Sequence, residues 1–203
     1  LTNKVISKAK EMAEEGMQVI ALASKKENNK VLVLNEKEEN DMTFIGFVAF
    51  LDSPKKDVKN VIEKLNKYDV KVKILTGDNP YSTKSVCLLA GINSEKIYLG
   101  SDIDKLSDKA LSKVVEEVDV FARLNPIQKE RIVRILRENN HVVGYMGDGI
   151  NDAPSLKESD IGLSVNGATD IAKESSDMIL LEKSLKVICD GVIEGRKVYG
   201  NII

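Results

Sequence analysis

His141-Val142-Val143-Gly144-Tyr145-Met146 runs directly into Gly147-Asp148-Gly149-Ile150-Asn151-Asp152-Ala153-Pro154. The first six residues predict an apolar strand over His141–Met146, and a helix is expected to start near Asn151. The two glycines let the backbone turn tightly and approach a ligand closely. Asp148 and Asp152 put two carboxylates on one loop. Hard oxygen donors of this kind suit Mg²⁺, which takes one or two protein carboxylates and completes its shell with water and phosphate. An Asp/Asn-Gly turn closed by a helix cap is the plainer alternative.

The same strand-then-helix pattern repeats from Asp52 on. Helices are expected near 55–66, 81–90, 108–117 and 127–139, with a last one from Leu185. Strands are expected at 70–75, 96–99, 118–122, 160–165 and 177–181. Such alternation predicts a parallel sheet with helices on both faces, a Rossmann-like α/β fold. The chain before Asp52 reads differently: a helix over Thr2–Glu15 stopped by Gly16, then apolar runs at 17–23, 31–34 and 44–51 separated by charged turns, as in a short antiparallel sheet. The change of pattern near Leu51 marks a domain boundary.

Composition narrows the function. The 203 residues carry 30 Lys and Arg against 32 Asp and Glu, so no strong field attracts nucleic acid. Hydrophobic residues make up 42% of the chain, enough for a core, and no apolar run reaches membrane-spanning length. Cys87 and Cys189 sit among apolar neighbours without a paired spacing and read as core thiols. His141 is the sole histidine and begins a strand, which argues for an edge position rather than base catalysis.

The four prolines, Pro54, Pro80, Pro126 and Pro154, each follow a strand-like run, at the edge where open α/β sheets bind ligands. Each has polar companions. Leu75-Thr76-Gly77-Asp78-Asn79-Pro80 places a hydroxyl and backbone N–H groups before a helix, fit for a phosphoryl anion or for an ordinary helix cap. Lys129 sits in the first turn of a helix, where a cation opposes the dipole, so an anionic partner would explain it. Asp52 at a strand end is open to three readings: nucleophile, ribose-contacting acid, or cap of the next helix.

Thr76-Gly77-Asp78, then Lys129 in a helix, then Gly147-Asp148-Gly149-Ile150-Asn151-Asp152-Ala153-Pro154 resemble, in order, the second to fourth motifs of the haloacid dehalogenase-like phosphotransferases. With Phe121-Ala122-Arg123 between them, the chain is similar to the phosphorylation domain of P-type cation-transporting ATPases. The stretches around Ala168-Thr169-Asp170-Ile171-Ala172 and Ile179-Leu180-Leu181-Glu182-Lys183 resemble bacterial magnesium-transporting members.

The resemblance implies an ATP-driven pump working through an aspartyl phosphate, with Mg²⁺ and ATP as cofactors and a cation, magnesium foremost, as cargo. By it Asp148 and Asp152 serve the Mg²⁺, Asn151 and Asp152 organise the site, and Thr76, Gly77 and Lys129 hold the phosphoryl group. Asp52, Asp78 and Arg123 contact or frame the nucleotide and hinge. It divides the chain into 1–50 as the end of a nucleotide-binding domain, 51–190 as the phosphorylation domain and 191–203 as the start of a stalk helix. The domains would lie on the cytoplasmic side of a membrane entered by helices outside the chain.

Two departures carry consequences. The family's nucleophilic Asp lies in a DKTGT sequence that is not found here, so the chain is expected to be a fragment, inactive alone. Its sheet should then lack a central strand, leaving a slot open to another copy of the chain. At Gln18 many relatives carry Arg, which weakens the case that residues 1–50 bind nucleotide. The alternatives are a self-contained phosphatase using Asp52, although Ser53-Pro54-Lys55 lacks the usual acid and Thr, or a non-catalytic phosphate-binding module.

Overall fold

Val120 and Phe121 are adjacent and fully buried, yet they belong to different cores. This is the period of two of a strand covered on both faces. The structure, a computed structural model, describes residues 2–26, 39–51, 57–182 and 184–202. The expected run 31–34 and the Asp52 loop lie outside the described residues, as does part of the acidic turn at 36–41.

The elements follow in order: α1 (Thr2–Glu14), β1 (Met17–Ser24), β2 (Thr43–Leu51), α2 (Val58–Lys67), β3 (Ile74–Leu75), α3 (Pro80–Ala90), β4 (Ile97–Leu99), α4 (Gly100–Ile103), α5 (Asp108–Glu117), β5 (Val120–Ala122), α6 (Pro126–Glu138), β6 (Gly144–Met146), α7 (Ala153–Glu158), β7 (Ile161–Val165), α8 (Asp170–Glu174), β8 (Met178–Leu180) and α9 (Leu185–Ile202). A 3-10 turn over Ile150–Asp152 precedes α7.

β1 and β2 pair antiparallel, as expected of the opening segment. Gly16 turns the chain between α1 and β1 at φ +89, and a side chain there would run into Ser85 of α3. The remaining strands form an α/β fold of two parallel sheets, ordered β3-β5-β4 and β6-β7-β8. Phe121 packs with Ile103, Leu111, Val115 and Ile132 from α4, α5 and α6. On the other face Val120 packs with Ile62 of α2 and Cys87 of α3. Helix α6 also gives Val133 to the core of the second sheet, with Tyr145, Leu156 and Val165. Leu75 and Val143 touch both cores, so β3 and β6 lie toward each other. Among the described residues each of these two strands has one ladder partner.

Three strands begin two or more residues later than the sequence pattern predicts, for one reason: their first residues close the preceding helix. Val70 N–H donates to Leu65 O at the end of α2, Val118 N–H to Val114 O at the end of α5, and His141 N–H to Leu136 O at the end of α6. Sheet pairing therefore starts only at Ile74, Val120 and Gly144. The short helices α4 and α8 carry too few residues to show a periodicity, and the sequence pattern does not reveal them. Cys87 and Cys189 are both buried free thiols, and burial pushes Cys87 up to about 11. Helix α9 continues unbroken across residues 190 and 191, with Cys189, Val192 and Ile193 against α2. Among the described residues no helix is long and apolar enough to cross a membrane.

Helix α7 lies so close to β7 that a Cβ on Gly162 would sit 2.8 Å from Leu156 O. Gly162→Ala is expected to cost about 1–3 kcal/mol in urea unfolding. Gly167→Ala, whose added carbon meets nothing within 4 Å, should stay within about 0.5 kcal/mol of the parent.

Candidate functional site

The 3-10 turn after β6 swings Asp152 back under its own loop. Its Oδ1 accepts from Lys129 Nζ at 2.9 Å and from the Tyr145 hydroxyl at 2.9 Å, and its Oδ2 accepts from Gly149 N–H at 3.2 Å. The Lys129 and Asp152 side chains are only 13% and 14% exposed. Burial pushes the Asp152 carboxyl up, but Lys129, Tyr145 and Gly149 together outweigh it and hold the group below its ordinary range. The same burial, then the Asp152 charge, pushes the Tyr145 phenol well above its ordinary range.

Two glycines of the loop are fixed by this placement. A Cβ on Gly147 would fall 2.4 Å from Asp152 Cβ, and Gly149 supplies the third donor. Lys129 stands in the first turns of α6, just beyond the carboxyl end of β5, and Asp152 lies just beyond the carboxyl end of β6. Their ion pair therefore places the carboxyl ends of both sheets on one rim, where α/β folds bind ligands. The anionic partner that the position of Lys129 calls for is Asp152.

Thr76 follows β3 on the same rim. Its hydroxyl donates to Asp78 Oδ2 at 2.9 Å and accepts from Asp78 N–H at 3.0 Å. The cap of α3 is Asn79, whose Oδ1 takes Tyr81 and Ser82 N–H, so Thr76 is not the helix cap. Backbone bonds lock this loop to the end of β5: Thr76 N–H to Phe121 O (3.0 Å), Arg123 N–H to Asp78 O (2.9 Å) and Leu124 N–H to Thr76 O (2.9 Å). Arg123 holds a left-handed φ of 52, a conformation that costs a non-glycine residue about 1–3 kcal/mol unless its surroundings enforce it. Here the two flanking bonds enforce it and leave the Arg123 side chain exposed on the rim. Gly77 and Asp78 are exposed beside it.

Asp148 is exposed, and its carbonyl accepts from Thr169 N–H at 3.1 Å. Asn151 is exposed next to it. This donor set fits Mg²⁺ held by one carboxylate with phosphate and water completing the shell. Among the described residues no cluster of three His, Cys, Asp or Glu is placed to hold a metal unaided. Both oxygens of Asp152 accept from protein donors, so its carboxylate meets Lys129 before any ion. Asp52 lies outside the described residues. His141 keeps to the edge, half exposed and 2.8 Å from Glu116 Oε1. Sequence reasoning missed Tyr145, because a tyrosine in a strand reads as core. It also missed Gln128, in the first turn of α6, whose buried amide donates to Gly100 O and to Asp104 Oδ1 at the two ends of α4.

A family model for the haloacid dehalogenase-like hydrolases matches residues 6–160. The magnesium-transporting ATPase, P-type 1, of Salmonella typhimurium is 45% identical over 203 residues, 98% of this chain and 22% of that protein. The calcium-transporting ATPase 1 of Bacillus cereus is 34% identical, over 98% of this chain and 23% of that protein. Among solved structures, a zinc-transporting PIB-type ATPase in an E2·Pi state matches with a TM-score of 0.66 at 25% identity, over 100% of this chain and 26% of that one. The chain thus spans less than a quarter of the length of the two curated relatives.

Removing one member of a buried ion pair strands the other. Lys129→Met is expected to cost about 3–5 kcal/mol in chemical denaturation. Adding Asp152→Leu to it should return most of that loss, and two independent, additive losses would contradict the coupling.

Proposed function

The chain belongs to the haloacid dehalogenase-like hydrolases, and from that premise we propose that it is part of the cytoplasmic catalytic region of a P-type cation-transporting ATPase, with magnesium as the transported ion. The observation that carries the reading is the rim on which Thr76-Gly77-Asp78, Arg123, Lys129 and Gly147–Asp152 meet at the carboxyl ends of parallel strands. The choice of magnesium rests on 45% identity to the magnesium-transporting relative against 34% to the calcium-transporting one. The cytoplasmic face of a membrane is the corresponding location.

In this reading Asp148 ligates Mg²⁺, and Asn151 and Asp152 organise the loop around it. Mg²⁺ supplies charge neutralisation at the transferred phosphoryl group. Lys129, fixed by Asp152, offers its remaining N–H donors to the phosphoryl oxygens, while the Gly77 backbone and the Thr76 hydroxyl cradle the same group. Asp78 and Arg123 frame ATP on the outer side of the rim, with Asp52 at the hinge. Such a site does its catalysis by positioning and electrostatics, which is what phosphoryl transfer demands.

The aspartyl nucleophile would come from a strand seated between β3 and β6, each of which has one ladder partner among the described residues. The chain alone is then inactive, and a second copy can pair with the same open edges.

Labelled ATP tests the reading in membranes carrying the full-length gene product. The expected result is a hydroxylamine-sensitive phosphoprotein that survives Asp52→Asn and forms about 100-fold more slowly in Lys129→Ala. Given labelled acetyl phosphate, the 203-residue chain alone should take up no label. Uptake abolished by Asp52→Asn would overturn the proposal in favour of a self-contained phosphatase.

A further inference from the structure

Tyr145 is the middle residue of β6, paired in register with Gly162 of β7. Its ring is a member of the second core, with Val133, Leu156 and Val165, and the residue is 7% exposed. Only the hydroxyl leaves that core, and it reaches Asp152 Oδ1 at 2.9 Å, the oxygen that also takes Lys129 Nζ at 2.9 Å. The phenol is thus carried by the sheet, the carboxylate by the 3-10 turn and the ammonium by α6. A side chain fixed by two torsions in a packed core is a rigid post, whereas the ammonium sits at the end of a long flexible stem.

We propose that Tyr145 is a positioning residue for the phosphoryl site: its hydroxyl fixes the Asp152 carboxylate and, through it, the direction in which the Lys129 ammonium points. The phosphoryl part rests on the function proposed above. Without the hydroxyl, Asp152 Oδ1 keeps Lys129 as its donor but loses the bond that ties it to β6. The carboxylate can then rotate about its terminal torsion, a broad and weakly restrained one, and Lys129 turns with it. Gly149 N–H, held by the other oxygen, shares the loss. Tyr145 touches no reacting atom in this account, so its effect on the site travels through Asp152, while its hydroxyl also faces Ser155 of α7.

Tyr145→Phe separates this role from packing, because it removes one oxygen and leaves the ring in the core. In the 203-residue chain the Lys129 side-chain ammonium is expected to give a distinct, slowly exchanging ¹⁵N-resolved signal. In Tyr145→Phe that signal should shift, broaden and exchange faster while the ion pair persists, and the Gly149 amide should exchange about tenfold faster. The methyl signals of Val133, Leu156 and Val165 should hold their positions. Affinity for inorganic phosphate with Mg²⁺ should fall about tenfold, the effect of losing one hydrogen bond to a charged group. An unchanged Lys129 signal and an unchanged Gly149 exchange rate in Tyr145→Phe would overturn the inference. Should the parent chain bind no phosphate while the Lys129 and Gly149 changes appear, the positioning role stands and the phosphoryl reading of the rim is what fails.

Discussion

The Asp152 carboxylate is largely withdrawn from water, and it must be matched there by donors or be protonated. It is matched three times, by an ammonium on α6, a phenol on β6 and an amide of its own loop. Much else follows from meeting that requirement. Gly147 has to lack a side chain because Asp152 Cβ occupies the place. Gly149 must present its N–H inward, which the 3-10 turn accomplishes. Lys129 has to stand at the start of α6, against the helix dipole, because only there does it meet the acid.

The ion pair also determines how the two sheets face a ligand. Helix α6 contributes Ile132, Ile135 and Leu136 to one core and Val133 to the other, so it is the beam between them. Apolar packing of that kind sets distance and leaves the ends of the beam undirected. The Lys129–Asp152 contact at one end fixes the rim, bringing the loops after β5 and β6 to the same side. The Thr76-Gly77-Asp78 loop joins that rim by a separate device, the backbone bonds that force Arg123 into a left-handed turn. Charge-assisted bonds at one loop and strained backbone at the other are two routes to preorganisation.

Much of this was legible in the sequence, and the exceptions have physical causes. α5 and the last helix begin where periodicity and capping residues place them, and Pro80 and Pro126 open helices as their fixed φ requires. Lys129 called for an anion by being unfavourable where it stands, but that the anion is Asp152 emerges only from the fold. Strand starts were misread because Val70, Val118 and His141 have strand-like character but spend their N–H groups on helix ends, and hydrophobic pattern does not register where a backbone donor goes. The role of Tyr145 was hidden for a related reason: its ring satisfies the core pattern, and nothing in the pattern reports where the one polar atom lands. The helix cap expected of the Thr76 hydroxyl falls to Asn79, because the backbone path puts its Oδ1 beside the Tyr81 and Ser82 N–H groups.

In the proposed function the loops after β3 and β6 form one phosphate site with Lys129 between them. Titration of the 203-residue chain with inorganic phosphate and Mg²⁺, followed through its backbone amide resonances, probes that shared site. The amides of Gly77 and Asp78 are expected to shift together with those of Gly147 to Gly149, along a single saturation curve that Lys129→Met abolishes in both loops. Shifts confined to one loop, or a curve that survives in Lys129→Met, would contradict it.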